Sequence, residues 1–264
     1  MGYLAFSTAN GAENQSVVIG REAGKDINSN STTENVIIGT SAGTGGEGNM
    51  IKAVIVGANA ANSTGNHSHT GIVAIGYDAL TRLTSGTKNT AVGYLSQDYN
   101  RTGVNNTSVG EESLSQLGHD DSDNNTAVGF QAMRSAGTPN NNDAKQNVAV
   151  GSKALTAILD GDSNVAVGYL AGAAITSGDG NIAIGYNSAD AMTTGHNNVA
   201  IGLGAMGSSE NIGFAVAVGS EALNNANATD ASDSSIAIGN KALYAMVSGI
   251  GNVAVGGEAL SAED

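Results

Sequence analysis

The chain of 264 residues has no cysteine, no tryptophan and a single proline. Without Cys there are no disulfides, no thiolate metal sites and no thiol nucleophile, and the redox compartment stays unread. Aromatics make up only 4% of the residues, which excludes a thick core of large side chains, so the core has to be thin and built from Val, Ile, Ala and Leu. Positive charge is scarce too: 10 Lys plus Arg stand against 24 Asp plus Glu, a formal net charge of −14. No basic stripe exists to meet a phosphate backbone, which argues against nucleic acid as a partner. No apolar run approaches the length of a membrane helix, which argues against membrane insertion. Residues 1–6 lack the basic start and apolar run of a secretory signal, so the chain is expected to assemble where it is made or to be a mature form or fragment.

What the chain does have is glycine, 38 residues of it, and much of it in one phrase. Fourteen times a β-branched residue, a usually small one, Val or Ile, and Gly follow one another, with Ala or Ser three residues later. The glycines stand at 20, 39, 57, 76, 93, 110, 129, 151, 168, 185, 202, 219, 239 and 256, spaced 17 to 22 residues apart. A period of this length running from end to end predicts a solenoid, each coil packing mainly on its neighbours. The expected fold is all-β: a short-coil parallel β-solenoid of about fourteen coils over residues 16–264, after a lead-in over 1–15.

Within a coil, Val or Ile precedes every Gly, and Val, Ile or Thr stands two residues before that. The residue between them is Ala or Ser in eleven copies and Val18, Ile37 and Ile55 in the first three. The pattern predicts a short strand buried on both faces, the β-branched pair pointing one way and the small residue the other. Gly ends the strand where a turn needs φ > 0 or close backbone approach. A second short strand or turn is expected around Leu80, Leu114, Met133, Leu155, Leu223, Leu243 and Leu260. Asn heads the phrase at 35, 89, 106, 125, 147, 164, 181, 198 and 252, and these amides are placed to form a ladder from coil to coil. So thin a coil buries little apolar area alone, and association with identical chains is the economical answer.

The phrase Asn-x-Ala-[Val/Ile]-Gly-x-x-Ala, as in Asn164-Val165-Ala166-Val167-Gly168…Ala171, resembles the head repeats of trimeric autotransporter adhesins of the YadA type. It is equally similar to the shaft repeats of some bacteriophage tail fibres, as in Asn89-Thr90-Ala91-Val92-Gly93-Tyr94. The resemblance spans residues 16–260 and implies a left-handed β-roll, a homotrimer, and an attachment structure on a virion or a bacterial surface. Coils longer than those of adhesin heads, with neither a heptad stalk nor a terminal barrel anchor, favour the fibre. The function expected is therefore a rigid structural segment of a tail fibre, with other fibre or virion proteins and a host cell-surface glycan or protein as partners. An adhesin head is the alternative, and a fibre-borne polysaccharide-degrading enzyme a third reading.

Candidate chemistry is sparse, and neither a catalytic residue nor a cofactor is expected. His67-Ser68-His69 has metal-like spacing, and Gly65-Asn66-His67-Ser68-His69 is similar to the Gly-x-His-x-His that holds iron at some phage fibre tips, but an exposed polar loop is the favoured reading. Asp120, Asp121 and Asp123 alternate partly like a calcium loop, yet Thr126 stands where the turn needs Gly, and a solvated acidic loop is expected. Glu111, Glu112, Glu221 and Glu258 recur just after repeat glycines as a charged outer face rather than as a catalytic pair across a cleft. Contacts with a receptor are expected where coils lengthen, over residues 58–71, 111–124, 134–146 and 220–234.

Overall fold

A computed structural model describes residues 3–5, 15–27, 33–45, 48–65, 67–117, 122–135, 142–225, 234–246 and 250–261. Among these it is all-β, with no helix. The residues group into two compact units, Met1–Val128 with Thr138–Asp143, and Gly129–Gly137 with Ala144–Asp264.

In the first unit the strands are β1 (Val17–Ile19), β2 (Val36–Ile38), β3 (Met50–Ile51), β4 (Val54–Val56), β5 (His69–Thr70), β6 (Val73–Ile75), β7 (Thr90–Val92), β8 (Thr107–Val109) and β9 (Thr126–Val128). All but β3 and β5 are copies of the phrase and pair in parallel in the order β1-β2-β4-β6-β7-β8-β9. The two-residue strands β3 and β5 pair separately, Met50 opposite His69, in coils long enough to supply an extra strand. The second unit repeats the arrangement with β10 (Val148–Val150), β11 (Val165–Val167), β12 (Ile182–Ile184), β13 (Val199–Ile201), β14 (Val216–Val218), β15 (Ile236–Ile238) and β16 (Val253–Val255). Partners always occupy the same position of the repeat: Ala149 faces Ala166, which faces Ala183. All fourteen copies thus form strands, and the six parallel steps within each unit amount to a parallel β-solenoid of about twelve turns.

The strands are not buried on both faces. The middle residue points into the coil and is buried in every copy but the first, from Ile37 to Ala254. The flanking β-branched residues point outward, and none is buried. Val167, expected inside, is only partly buried while Ala166 beside it is fully buried. The reason lies in the run after the glycine. Leu80 and Leu83, Leu114 and Leu117, and Leu155 and Ile158 fill the coil interior, four and seven residues past Gly76, Gly110 and Gly151. Long side chains from that run leave room for little more than a methyl group from the strand. The coil after Gly93 fills both interior places with polar side chains, Gln97 and Asn100. Gln97 Nε2 donates to the Thr90 carbonyl at 2.8 Å and to Ser108 Oγ at 2.9 Å, and Asn100 Nδ2 donates to Gln97 Oε1 at 2.9 Å, so this polar layer is internally satisfied.

The run after the glycine is a succession of turns, without the second strand that was the other expectation for it. Its backbone alternates into the left-handed region, as at Asp78 (φ 54°) and Leu80 (φ 52°), or Glu112 (φ 50°) and Leu114 (φ 52°). Such φ values are costly for Leu and Glu. Here they turn successive N–H groups toward neighbouring coils: Leu80 N–H donates to the Ser96 carbonyl at 3.0 Å, and Glu112 N–H to the Tyr94 carbonyl at 2.8 Å. At the strand-ending position a side chain is excluded wherever another coil follows. Gly129 sits at φ 133°, and a Cβ there would lie 2.7 Å from the Gly151 carbonyl carbon.

The Asn heads form the expected ladder, buried inside each unit. The Asn164, Asn181 and Asn198 N–H groups donate to Oδ1 of Asn147, Asn164 and Asn181 at 2.8, 2.9 and 3.1 Å. Their Nδ2 groups reach on to the carbonyls of Gly178, Gly195 and Ile212, all at 2.7 Å. In the first unit Asn106 and Asn125 bond to Oδ1 of Asn89 and Asn106 in the same way, both at 2.9 Å.

Candidate functional site

With the small residue turned inward, each unit presents a continuous outer sheet face carrying two columns of β-branched side chains. In the second unit one column runs Val148, Val165, Ile182, Val199, Val216, Ile236, Val253, and the other Val150, Val167, Ile184, Ile201, Val218, Ile238, Val255. The first unit carries the equivalent columns, with Thr90, Thr107 and Thr126 in the first of them. The face is largely apolar and free of charged side chains. A contiguous apolar face of this kind on the surface of a single chain marks an interaction site.

Beside it, immediately after the strand-ending glycine, stands an aromatic column that the sequence analysis passed over. Tyr77 and Tyr94 stack with centroids 5.6 Å apart and planes 14° apart, and Tyr169 and Tyr186 stack at 5.3 Å and 22°. Phe130 occupies the same position and is exposed. The signal was present: aromatics follow five of the fourteen repeat glycines, in a chain that has only ten aromatic residues.

The histidine pair does not share a face. His67 is exposed, whereas His69 lies in β5 and is 2% exposed. Both ring nitrogens of His69 face carbonyl oxygens, Nδ1 at 3.1 Å from that of Gly86 and Nε2 at 2.6 Å from that of Thr64, which leaves neither directed at a metal. The i, i+2 rule that puts two side chains on one face holds only along a strand, and His67 precedes the strand. In the acidic segment Asp120 and Asp121 lie outside the described residues, while Asp123 Oδ1 accepts the Val104 N–H at 2.7 Å. Among the described residues no group of three His, Asp or Glu side chains could hold a metal.

Glu221 and Lys241 stand at the same repeat position in successive coils and pair at 3.6 Å, and Glu258 follows one coil on. Glu221, Lys241 and Glu258 thus make a short column of alternating charge, two residues past the repeat glycine and off the strand face. Of the four lengthened loops, residues 66, 118–121, 136–141 and 226–233 lie outside the described residues. Two carboxyl groups have a pKa raised by burial. Asp98 is held by Ser115 Oγ at 2.8 Å, which together with the Arg82 charge offsets part of the rise, and Asp190 has only its own backbone N–H to offset it. The two are in different units and form no pair.

Compared with known protein families, curated proteins and solved structures, the chain matches none.

Proposed function

We propose that the chain is a rigid structural segment of a fibre, in the manner of a phage tail-fibre shaft, assembled from three copies through their strand faces and serving attachment to a host surface. The observation that carries this reading is the exposed strand face. Two columns of Val and Ile, interrupted only by three Thr and with no charge among them, are stabilised in water by being covered, each fully buried Val or Ile side chain contributing roughly 1.5–3 kcal/mol. The in-register stacking gives identical chains identical faces, which suit a closed, symmetric assembly. The number three and the left-handed roll come from the resemblance of the repeat. A virion location follows from the same reading.

The test is mass in solution, by sedimentation or light scattering. Wild type is expected at three times the chain mass. Val167→Asp, Ile184→Asp and Ile201→Asp together place three carboxylates on the face without touching the interior. They are expected to give a single-chain mass with the β signal in circular dichroism retained. A wild-type chain that is monomeric and melts like the triple variant would refute the assembly.

A further inference from the structure

One coil of the second unit lacks side chains where its neighbours carry them. Two positions after the repeat glycine, successive coils place Asn187, Gly204 and Glu221; five positions after it they place Asp190, Gly207 and Asn224. The two glycines of the middle coil open a notch of about 230 Å³, walled by Asn187 and Asp190 on one side and by Glu221 and Asn224 on the other. A Cβ on Gly207 would sit 3.2 Å from Asp190 Oδ1 and 3.1 Å from Asn224 Nδ2, so these polar groups converge on the space that the glycine leaves. Tyr186 and Leu203 border the notch and are more than half exposed. Tyr169 stacks on one face of the Tyr186 ring, and Leu203, at the same repeat position one coil on, stands beside the other, so the two form an apolar rim to the notch.

Counting donors and acceptors defines what fits. Asn224 Nδ2 donates one of its two hydrogens to the Gly204 carbonyl at 2.6 Å, the Ser208 hydroxyl lines the notch, and the Glu221 carboxylate pairs with Lys241. The Asp190 carboxylate is held only by its own backbone N–H, and Asn187 Oδ1, sealed from solvent, has no hydrogen-bond partner. The notch therefore offers the Asp190 carboxylate as an acceptor beside amide and hydroxyl groups, with an apolar rim and no free cation among its lining residues. A complementary ligand donates hydrogen bonds, carries no negative charge and has an apolar C–H face. Pyranose sugars combine these three properties.

We propose that this notch is a subsite for one neutral hexopyranose residue of a surface glycan, an assignment that rests on the attachment reading above. Asp190 accepts from a pair of ring hydroxyls, the rim of Tyr186 and Leu203 borders the C–H face, and the glycines of the middle coil provide the room.

The test is saturation-transfer NMR on the full chain with methyl hexopyranosides, and with methyl glucuronide as the anionic arm. Transfer is expected to the neutral glycosides and not to the glucuronide. Gly207→Asn, which gives the middle coil the kind of side chain its neighbours carry, is expected to abolish transfer while circular dichroism and assembly mass stay unchanged. Asp190→Ala weakens affinity by about tenfold or more, the scale of a lost hydrogen bond to a charged group, and keeps the proposal falsifiable should the glycine variant misfold. No transfer to any neutral glycoside, equal transfer in both variants, or displacement of the glycoside by calcium or an alkylammonium ion would overturn the assignment. Retention on bacterial cells is scored on the same preparations. A chain that takes glycosides but leaves the cells overturns the attachment reading and not the notch; a chain that stays on cells and takes no glycoside does the reverse.

Discussion

Asp98 shows at the scale of one residue how this interior treats charge. It occupies the coil whose core layer is polar, lies almost out of solvent, and is bonded by Ser115 Oγ at 2.8 Å. Burial nevertheless pushes its pKa above the usual 3.8. A carboxyl raised in this way favours the folded state fully only below its unfolded pKa, and that contribution is lost as pH rises through the folded value. At neutral pH the ionised group therefore works against folding. Asp98→Asn, which keeps a partner for Ser115, is expected to melt higher than wild type at pH 7, with the gain shrinking as the pH falls through the raised folded value and gone below the unfolded value of about 4. Thermal melts at pH 7 and pH 3.5 check this; the same difference at both would show that the carboxylate is effectively solvated.

The element that unites each unit is the Asn ladder rather than any strand of three residues. Asn164→Leu removes the acceptor of the Asn181 N–H and the donor to the Gly178 carbonyl, both inside the coil. Each orphaned group costs about 1–3 kcal/mol, so a loss of roughly twice that is expected in chemical denaturation. An unchanged midpoint would show that the ladder follows from stacking without stabilising it. The strands themselves were legible in the sequence, because a β-branched flank, a small middle residue and a following Gly mark both ends and the register. Their facing was not. It is decided by Leu80 and Leu83 and their equivalents, which reach the interior from left-handed backbone that hydrophobic periodicity does not describe. Read from the strand alone, the larger side chains of Val165 and Val167 belong inside. The same blindness hid the notch, since Gly204 and Gly207 matter only beside Asn187, Asp190, Glu221 and Asn224, one coil away on either side. His69 was misjudged for the complementary reason: its spacing from His67 resembles a ligand pair, while its burial follows from an extra strand that only the lengthened coils possess.

For the whole molecule the balance of charge sets the conditions of assembly. A trimer would carry a formal −42, three times the −14 of one chain, and its strand faces contribute no ion pairs to the seam. Like charges repel across the assembly, and salt screens them, with a Debye length of ~10 Å at 0.1 M and ~3 Å at 1 M. Assembly is therefore expected to persist in 1 M NaCl and to weaken, if at all, at very low ionic strength. A fall in sedimentation coefficient at high salt with the β signal intact would mean that ion pairs hold the chains together. The exact alignment of equivalent positions, Val165 opposite Ile182 and Ile182 opposite Val199, has a genetic consequence. Excising the 17 residues 169–185 would bring Tyr186 directly after Gly168, and every remaining residue would keep its place in the phrase. Unequal exchange between copies of so repetitive a coding sequence would therefore lengthen or shorten the protein in whole coils while leaving each ladder intact. Length is thus free to vary by recombination where single substitutions at the repeat glycines are not.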